Sequence, residues 1–201
     1  MYQQNKIKSC NSEVQLHTDI LDALFKYKKE IYYKLSDIRG TYNIDHIAIN
    51  IVTPENKLII LSISPSVEYN LIIQNLWQYD KSFFPQLYKE NEFFYWEEAY
   101  LPGHNNLIRA LKQEKHNYHL GIGLTRRLDD LYLTYSFATR NPSVKLKSYY
   151  LERQSELLLL GDYAFKCMDN IYKKFHTNIS TPKNGQPLVK NSHLKLVVNN
   201  D

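Results

Sequence analysis

Two pairs of β-type segments most constrain what this chain can fold into. In the first pair, residues 45–53 alternate in polarity and are rich in β-branched side chains, and residues 58–63 follow the turn at residues 54–57. In the second pair, residues 119–126 and 131–139 flank a short connection that contains two turn-forming aspartates. Segments of this kind pair as neighbouring strands when a short turn joins them, so the sequence predicts an antiparallel sheet.

Helical patterns surround the predicted strands. Apolar residues recur at three- and four-residue steps in residues 12–31, 65–84 and 107–111. The longest pattern covers residues 144–175 and predicts one helix, although Gly161 weakens it. Strands that alternate with helices in this order predict the α+β class, with an antiparallel β-sheet sandwiched between helices.

The length and composition favour one domain. A chain of 201 residues with 43% hydrophobic residues is long enough to bury one core. We predict one folded domain over residues 1–175 and a polar linker or tail over residues 176–201, in which residues 194–198 form a weak strand pattern.

Charge and cysteine content bound the class of protein. The formal net charge of +4 is mild and spread along the chain, so it does not demand a nucleic-acid partner. Cys10 and Cys167 are the only cysteines, and their spacing resembles neither a disulfide framework nor a metal site. The N-terminus lacks a signal-peptide pattern, and the aliphatic run at residues 157–160 is too short to cross a bilayer. A cytoplasmic protein without a membrane segment is expected.

The sequence does not predict an enzyme. It contains no glycine-rich phosphate loop and no nucleophile elbow. His116 and His119 are three positions apart, as a helical metal pair would be, but they lie across a predicted boundary between a helix and a strand. We therefore expect no catalytic residues, no metal ion and no cofactor.

Polar and aromatic residues follow one another in a characteristic order. These are Tyr69, Asp80, Trp96, the glycine-containing residues 121–125 and the Ser-Phe-Ala string at residues 136–138. Together with the order of strands and helices, this series resembles the autoinducer-binding domain of LuxR-type quorum-sensing regulators. The last two strings carry the most specific part of the resemblance.

The resemblance covers about residues 12–175 and implies a ligand-binding role for four side chains. Tyr69 would donate a hydrogen bond to a ring carbonyl of the ligand, and Asp80 would accept the ligand's amide N–H. Trp96 would form a wall beside the head group, and the Ser136 hydroxyl would meet the amide or acyl carbonyl. A buried acyl amide needs such partners, because an unpaired polar group in an apolar site costs roughly 2–7 kcal/mol.

The chain departs from the family pattern near two of these residues. Tyr69 stands where the family usually has tryptophan, and an alternative register places Val67 at that position. Asp80 is followed by Lys81, where the family has proline. The ligand therefore stays open between an acyl-homoserine lactone or related acyl amide and another small apolar signal.

The resemblance implies a small-molecule sensing domain of a LuxR-type transcriptional regulator, or a solo version of it, that signals through dimerisation. Its partners would be the signal and either a second copy or a related regulator. DNA would be bound only through a helix-turn-helix domain, which this chain lacks, so the chain is either a piece of a longer regulator or a solo sensor.

Two alternatives remain at this point. One is a protein-interaction module with a closed core that pairs with a full-length regulator; it predicts no cavity of about 300 Å³ or more. The other is a PAS- or GAF-like sensor of another metabolite, in which Asp80 and Ser136 would not converge.

Overall fold

The computed structural model describes residues 13–179, which form six strands and seven α-helices. The strands are β1 (Gln15–Leu16), β2 (His46–Val52), β3 (Lys57–Ser62), β4 (Phe93–Tyr95), β5 (Leu120–Leu128) and β6 (Leu131–Thr139). The helices are α1 (Ile20–Lys26), α2 (Lys28–Lys34), α3 (Ser66–Ile73), α4 (Trp96–Ala99), α5 (Asn105–Lys112), α6 (Lys145–Glu152) and α7 (Gln154–Ile179).

The strands form one sheet in the order β1-β3-β2-β6-β5-β4. Both predicted strand pairs are present as antiparallel neighbours, and β2 and β6 join them through pairs such as Ala48–Ser136. Only β1 lies parallel to its neighbour, β3. The predicted α+β class, with a sheet between helices, is confirmed.

The two faces of the sheet differ in chemistry because successive side chains on a strand point to opposite sides. One face carries Ile47, Ile49 and Ile51 of β2 and packs in a core cluster with residues of α2, α6 and α7; we call it the apolar face. The opposite face carries small and polar residues such as Ala48 and Asn50, and we call it the mixed face. Residues of α3 and α5 belong to the core cluster on that side.

The first helix begins later in the sequence than predicted. Helical structure starts at Ile20, and the preceding residues form the edge strand β1. Gln15 and His17 donate their backbone N–H groups to the carbonyls of Asn56 and Leu58, each over 2.9 Å. Because β3 offers these backbone acceptors at its edge, pairing with the sheet outweighs the local helical pattern. The helix is also divided into α1 and α2.

The predicted single helix over residues 144–175 is wrong. Arg153, at φ −114° and ψ 28°, separates α6 from α7, and its N–H bonds to the carbonyl of Tyr150. Tyr150 is held on the core because its hydroxyl donates to the carbonyl of Tyr42 over 2.9 Å. Gly161 does not interrupt α7; a Cβ atom there would overlap the ring of Tyr135, so glycine allows the helix to approach the sheet.

The helical pattern over residues 65–84 is also only partly realised. Helix α3 ends at Ile73, and Asn75 adopts a left-handed conformation at φ 55°. Three short 3-10 turns follow, at Leu76–Tyr79, Lys81–Phe83 and Pro85–Leu87. Asp80 lies between two of these turns and forms an isolated bridge with Tyr100. The irregular backbone places Asp80 over the mixed face. A continuous helix over residues 65–84 would not place it there.

The predicted tail starts inside α7, which continues to Ile179. The strand predicted at residues 194–198 and Cys10 lie outside the described residues. Within residues 13–179, no helix combines the length and the apolar character that a membrane crossing requires.

Candidate functional site

The mixed face presents a row of small and polar side chains to the helices that cover it. Ala48 lies opposite Ser136, and Ser136 lies opposite Gly123. One row further along, Asn50 lies opposite Thr134. A buried face that only fills space is usually apolar, as the other face of this sheet is. The small and polar row therefore distinguishes this face as a place where specific contacts can form.

Trp96 is anchored to this row by a hydrogen bond. The chain leaves β4 and starts α4 at Trp96, whose side chain is fully buried. Its Nε1–H donates to Ser136 Oγ over 2.9 Å. The indole ring also lies against Gly121, where any Cβ atom would overlap the ring. The structure thus brings Trp96 and Ser136, two of the four predicted site residues, into direct contact.

Asp80 belongs to the same cluster but is already paired within the chain. Its carboxylate is fully buried; Oδ2 lies 2.6 Å from Lys112 Nζ, and Oδ1 accepts the backbone N–H of Ser82 over 2.9 Å. Lys112 Nζ also donates to Ser82 Oγ over 3.0 Å. Both carboxylate oxygens therefore have donors from the protein itself.

Lys112 connects the predicted residues to one another. Its ammonium lies 4.3 Å from the centroid of the Trp96 ring and about 5.5 Å from those of Phe83 and Tyr100. An ammonium over an aromatic face is attracted by the ring quadrupole, and the attraction grows when water is excluded. Burial, followed by the nearby charge of Asp80, raises the pKa of the Tyr100 hydroxyl well above its usual range. We call Asp80, Ser82, Phe83, Trp96 and Tyr100 the ammonium site.

Lys112 was not predicted from the sequence, although the sequence contains a signal for it. Lys112 follows Ile108 by four positions on α5, and both side chains are buried. Residues four apart share one face of a helix, so this lysine stands on the apolar face. A lysine in that position needs a buried partner, and Asp80 provides it.

Tyr69 lies outside the ammonium site. It is half-buried on α3, packs at the border of the core cluster on the mixed-face side and meets the ring of Phe25 edge-on at 5.3 Å. Val67, which the alternative register places at this point of the family pattern, is fully buried in that core. The structure brings together Asp80, Trp96 and Ser136, and it leaves Tyr69 apart from them.

A second buried ionisable pair lies beside Trp96. Glu68 of α3 places Oε1 3.2 Å from His46 Nε2 of β2, and both side chains are almost completely buried. The His46 ring lies 5.8 Å from that of Trp96 and 5.4 Å from that of Tyr118. Within the described residues, Glu68 Oε2 and His46 Nδ1 have no hydrogen-bond partner. This pair links α3 to the sheet and was not predicted from the sequence.

Asn50 and Thr134 of the mixed face each carry a polar atom without a hydrogen-bond partner among the described residues. Asn50 Nδ2 donates to the carbonyl of Ser82 over 2.9 Å, but Asn50 Oδ1 and the hydroxyl of Thr134 have no hydrogen-bond partner in the described part of the chain. The two residues are direct cross-strand neighbours, and both are buried. Since a buried polar group without a partner is costly, a bound molecule or water is expected to meet them.

Two clefts at the surface of residues 13–179 lie apart from this cluster. One of about 260 Å³ is lined by residues of β5, α6 and their neighbours, including Gly121 and Lys147, and another of about 440 Å³ lies along α6. Neither is lined by Asp80, Lys112 or Ser136. The ammonium site lies in the packed interior.

Comparison with known proteins gives a match in structure but not in sequence. No protein-family model matches the chain, and no curated protein matches it. The structure of Escherichia coli SdiA is similar with a TM-score of 0.54 at 13% identity, covering 79% of this chain and 67% of that one. The fold is that of a LuxR-type autoinducer-binding domain.

Two further solved structures are similar. SdiA in complex with octanoyl-rac-glycerol matches with a TM-score of 0.53 at 11% identity, over 83% of this chain and 70% of that one. The ligand-binding domain of VqsR from Pseudomonas aeruginosa matches with a TM-score of 0.48 at 10% identity, over 74% of this chain and 96% of that one.

The PAS- or GAF-like alternative required that Asp80 and Ser136 should not converge. Ser136 bonds to Trp96 directly, and Asp80 is connected to Trp96 through the Lys112 ammonium. The convergence of Asp80 and Ser136 on one ligand therefore stays a prediction.

Proposed function

We propose that this chain is a sensing domain that holds a small molecule between the mixed face of the sheet and the layer formed by α3, α5 and the 3-10 turns. One observation carries the proposal: Asn50 Oδ1 and the Thr134 hydroxyl are buried side by side without a hydrogen-bond partner among the described residues. Such a pair offers one acceptor and one hydroxyl to a ligand head group.

Trp96 and Ser136 would form the wall next to this position. The Ser136 oxygen accepts from the indole, which leaves its own hydroxyl hydrogen for a ligand carbonyl. The predicted contact of Tyr69 with a ligand stays a prediction. Its ring lies at the border of this layer. The predicted role of Asp80 as acceptor of a ligand amide also stays a prediction, and it requires that a donor now bound to the carboxylate move away.

A ligand with an apolar chain and a small hydroxyl- or carbonyl-bearing head suits this setting. The fold is shared with SdiA, and one SdiA structure is of its complex with octanoyl-rac-glycerol. A head-group hydroxyl would donate to Asn50 Oδ1, and a carbonyl would accept from Thr134 or Ser136. We propose acylglycerols and acyl-homoserine lactones as the first ligand classes to examine, with occupancy transmitted through dimerisation.

The experiment that tests this function measures ligand-induced stabilisation of the whole chain. A ligand that binds only the folded state raises the melting temperature. At a free concentration one hundred times its Kd, the ligand adds about 2.7 kcal/mol to the free energy of unfolding. Native mass spectrometry of protein expressed in its own host would show a bound molecule and the oligomeric state together. If no compound of either class shifts the melting temperature and no mass increment is found, the proposal is rejected.

A protein-interaction module with a closed core is the second candidate, and the Lys112–Asp80 pair favours it. This pair fills the space beside Trp96 with the chain's own atoms. Such a module would show no ligand response and would instead change mass in native spectra when mixed with a partner regulator. The two candidates therefore give opposite results in the same two measurements.

A further inference from the structure

The ammonium of Lys112 is surrounded as a bound ligand would be. It donates to Asp80 Oδ2 over 2.6 Å and to Ser82 Oγ over 3.0 Å, and the Trp96 ring lies 4.3 Å away. The centroids of the Phe83 and Tyr100 rings lie 5.6 Å and 5.5 Å from the ammonium. A carboxylate together with several aromatic rings is the arrangement that recognises an alkylammonium ion.

Displacing this ammonium would be unfavourable for a neutral ligand. Lys112 is 3% exposed and Asp80 is completely buried, so neither charge is satisfied by water in place. Removing one partner of such a buried pair leaves the other charge uncompensated, a penalty equivalent to a factor of about 10² to 10³ or more in affinity. A single hydrogen bond from a neutral amide recovers only part of that factor.

We propose that Lys112 is the built-in occupant of the ammonium site, where it takes the position at which a ligand's N–H donor would meet Asp80. The site recognises a primary alkylammonium, and the chain supplies that group itself. Asp80 Oδ2 therefore cannot accept the N–H of an amide-headed signal while Lys112 stays in place. This inference deepens the proposed function and rests on it only for the location of the signal, since the occupancy of Asp80 by Lys112 is independent of any added ligand.

Chemical rescue tests the inference directly. The substitution Lys112→Ala removes three carbons and the ammonium, which together correspond to n-propylammonium. We expect Lys112→Ala to lower the melting temperature and n-propylammonium chloride to raise it again in a saturable manner. The wild-type chain should show no such response, because its site is filled.

Two controls separate recognition of the cation from simple filling of a cavity. At equal concentration, n-propanol tests the alkyl chain without the charge, and sodium chloride tests ionic strength. Lys115→Ala removes a lysine from the surface just beyond α5, and this variant should respond to none of the three additives. Equal stabilisation of Lys112→Ala by n-propanol and by n-propylammonium would overturn the inference, as would a melting temperature equal to that of the wild type before any addition.

A second pair of variants decides the matter if Lys112→Ala does not fold. Lys112→Met keeps most of the stem and removes the charge, which leaves Asp80 unpaired. The double variant Asp80→Asn, Lys112→Met removes both charges, and we expect it to fold and to be more stable than either single variant. A double variant that is no more stable than Lys112→Met, or that does not fold, contradicts the inference.

The outcome can be separated from that of the proposed function. The ligand panel on the wild-type chain reports whether a signal binds, whereas amine rescue of Lys112→Ala reports which group pairs with the Asp80 carboxylate. Rescue with no panel response and no mass increment in native spectra would reject the sensing function and keep the internal occupant. A wild-type response to octanoyl-homoserine lactone that Asp80→Asn abolishes, while octanoylglycerol binding persists in that variant, would reject the internal occupant and keep the sensing function.

Discussion

The indole Nε1–H of Trp96 donates to Ser136 Oγ over 2.9 Å, between two residues that are 40 positions apart. This bond fixes the start of α4 on the mixed face of the sheet. Because Trp96 also contacts the Lys112 ammonium, it connects the sheet to the buried Asp80–Lys112 pair. The stability of this part of the domain should therefore depend on the bond.

The substitution Ser136→Ala should lower the free energy of unfolding by about 1–3 kcal/mol, because it leaves a buried N–H without an acceptor. Urea-induced unfolding followed by tryptophan fluorescence measures the change. Ser143→Ala, at an exposed position after β6, is the matched control and should change stability by less than about 0.5 kcal/mol. Equal effects of the two substitutions would show that the bond does not stabilise the fold.

The substitution Asp80→Asn should destabilise the protein by about 3–5 kcal/mol, because it leaves the Lys112 ammonium buried without a counter-charge. Thermal and urea unfolding measure the loss. Glu97→Gln is the control, because Glu97 pairs with Arg109 at the surface; the Glu97 side chain is 55% exposed and that of Arg109 is 54% exposed. This variant should cost less than about 1 kcal/mol. A small loss in both variants would contradict the buried geometry of the pair.

The substitution Thr134→Val separates the sensing function from stability. The Thr134 hydroxyl is buried without a hydrogen-bond partner within the described residues. An apolar group of the same shape should therefore leave the free energy of unfolding unchanged or raise it slightly. If the hydroxyl meets a ligand, the same variant should lose part of the ligand-induced rise in melting temperature. Thr41→Val, at an exposed position, should keep the full rise. A full response of Thr134→Val would exclude this hydroxyl from the site.

The substitution Gly161→Ala should destabilise the protein although alanine favours helices by about 1 kcal/mol over glycine. Its Cβ would overlap the Tyr135 ring, and crowding a packed core costs about 1–3 kcal/mol. Ser155→Ala, at an exposed position of the same helix, should be neutral or slightly stabilising. Chemical denaturation of both variants compares the two effects; stabilisation by Gly161→Ala would show that α7 does not approach the sheet this closely.

Alkaline pH should weaken the fold through buried tyrosines. Burial raises the pKa of Tyr150 to about 12 from its ordinary value of 10. The folded state then keeps a proton that the unfolded state releases, so the free energy of unfolding decreases as the pH rises from about 10 to 12. Tyr150→Phe removes this contribution, and its stability should fall less steeply over that range. Urea unfolding at several pH values from 8 to 12 measures both slopes; parallel slopes would contradict the assignment.

Local patterns were sufficient for the two central strand pairs. In β2 and β6, alternation between apolar and small or polar residues sets which side chains face each layer. Short turns pair β2 with β3 and β5 with β6. The resemblance to the LuxR-type pattern, and not a local pattern, pointed to Asp80, Trp96 and Ser136. The edge strands were not predicted, because Gln15–Leu16 and Phe93–Tyr95 are too short to show a period.

The sequence by itself determined the fold class and the two strand pairs, because these depend on periodicity and on the order of elements along the chain. The resemblance to the LuxR-type pattern pointed to Asp80, Trp96 and Ser136. Only the tertiary structure decided the break at Arg153, the edge pairing of β1 and the partner of Asp80. Lys112 lies 32 positions from Asp80, and their pairing follows from burial of both charges in one layer. Such a contact is selected by the cost of leaving a buried charge unpaired, a cost that arises only when distant segments pack together.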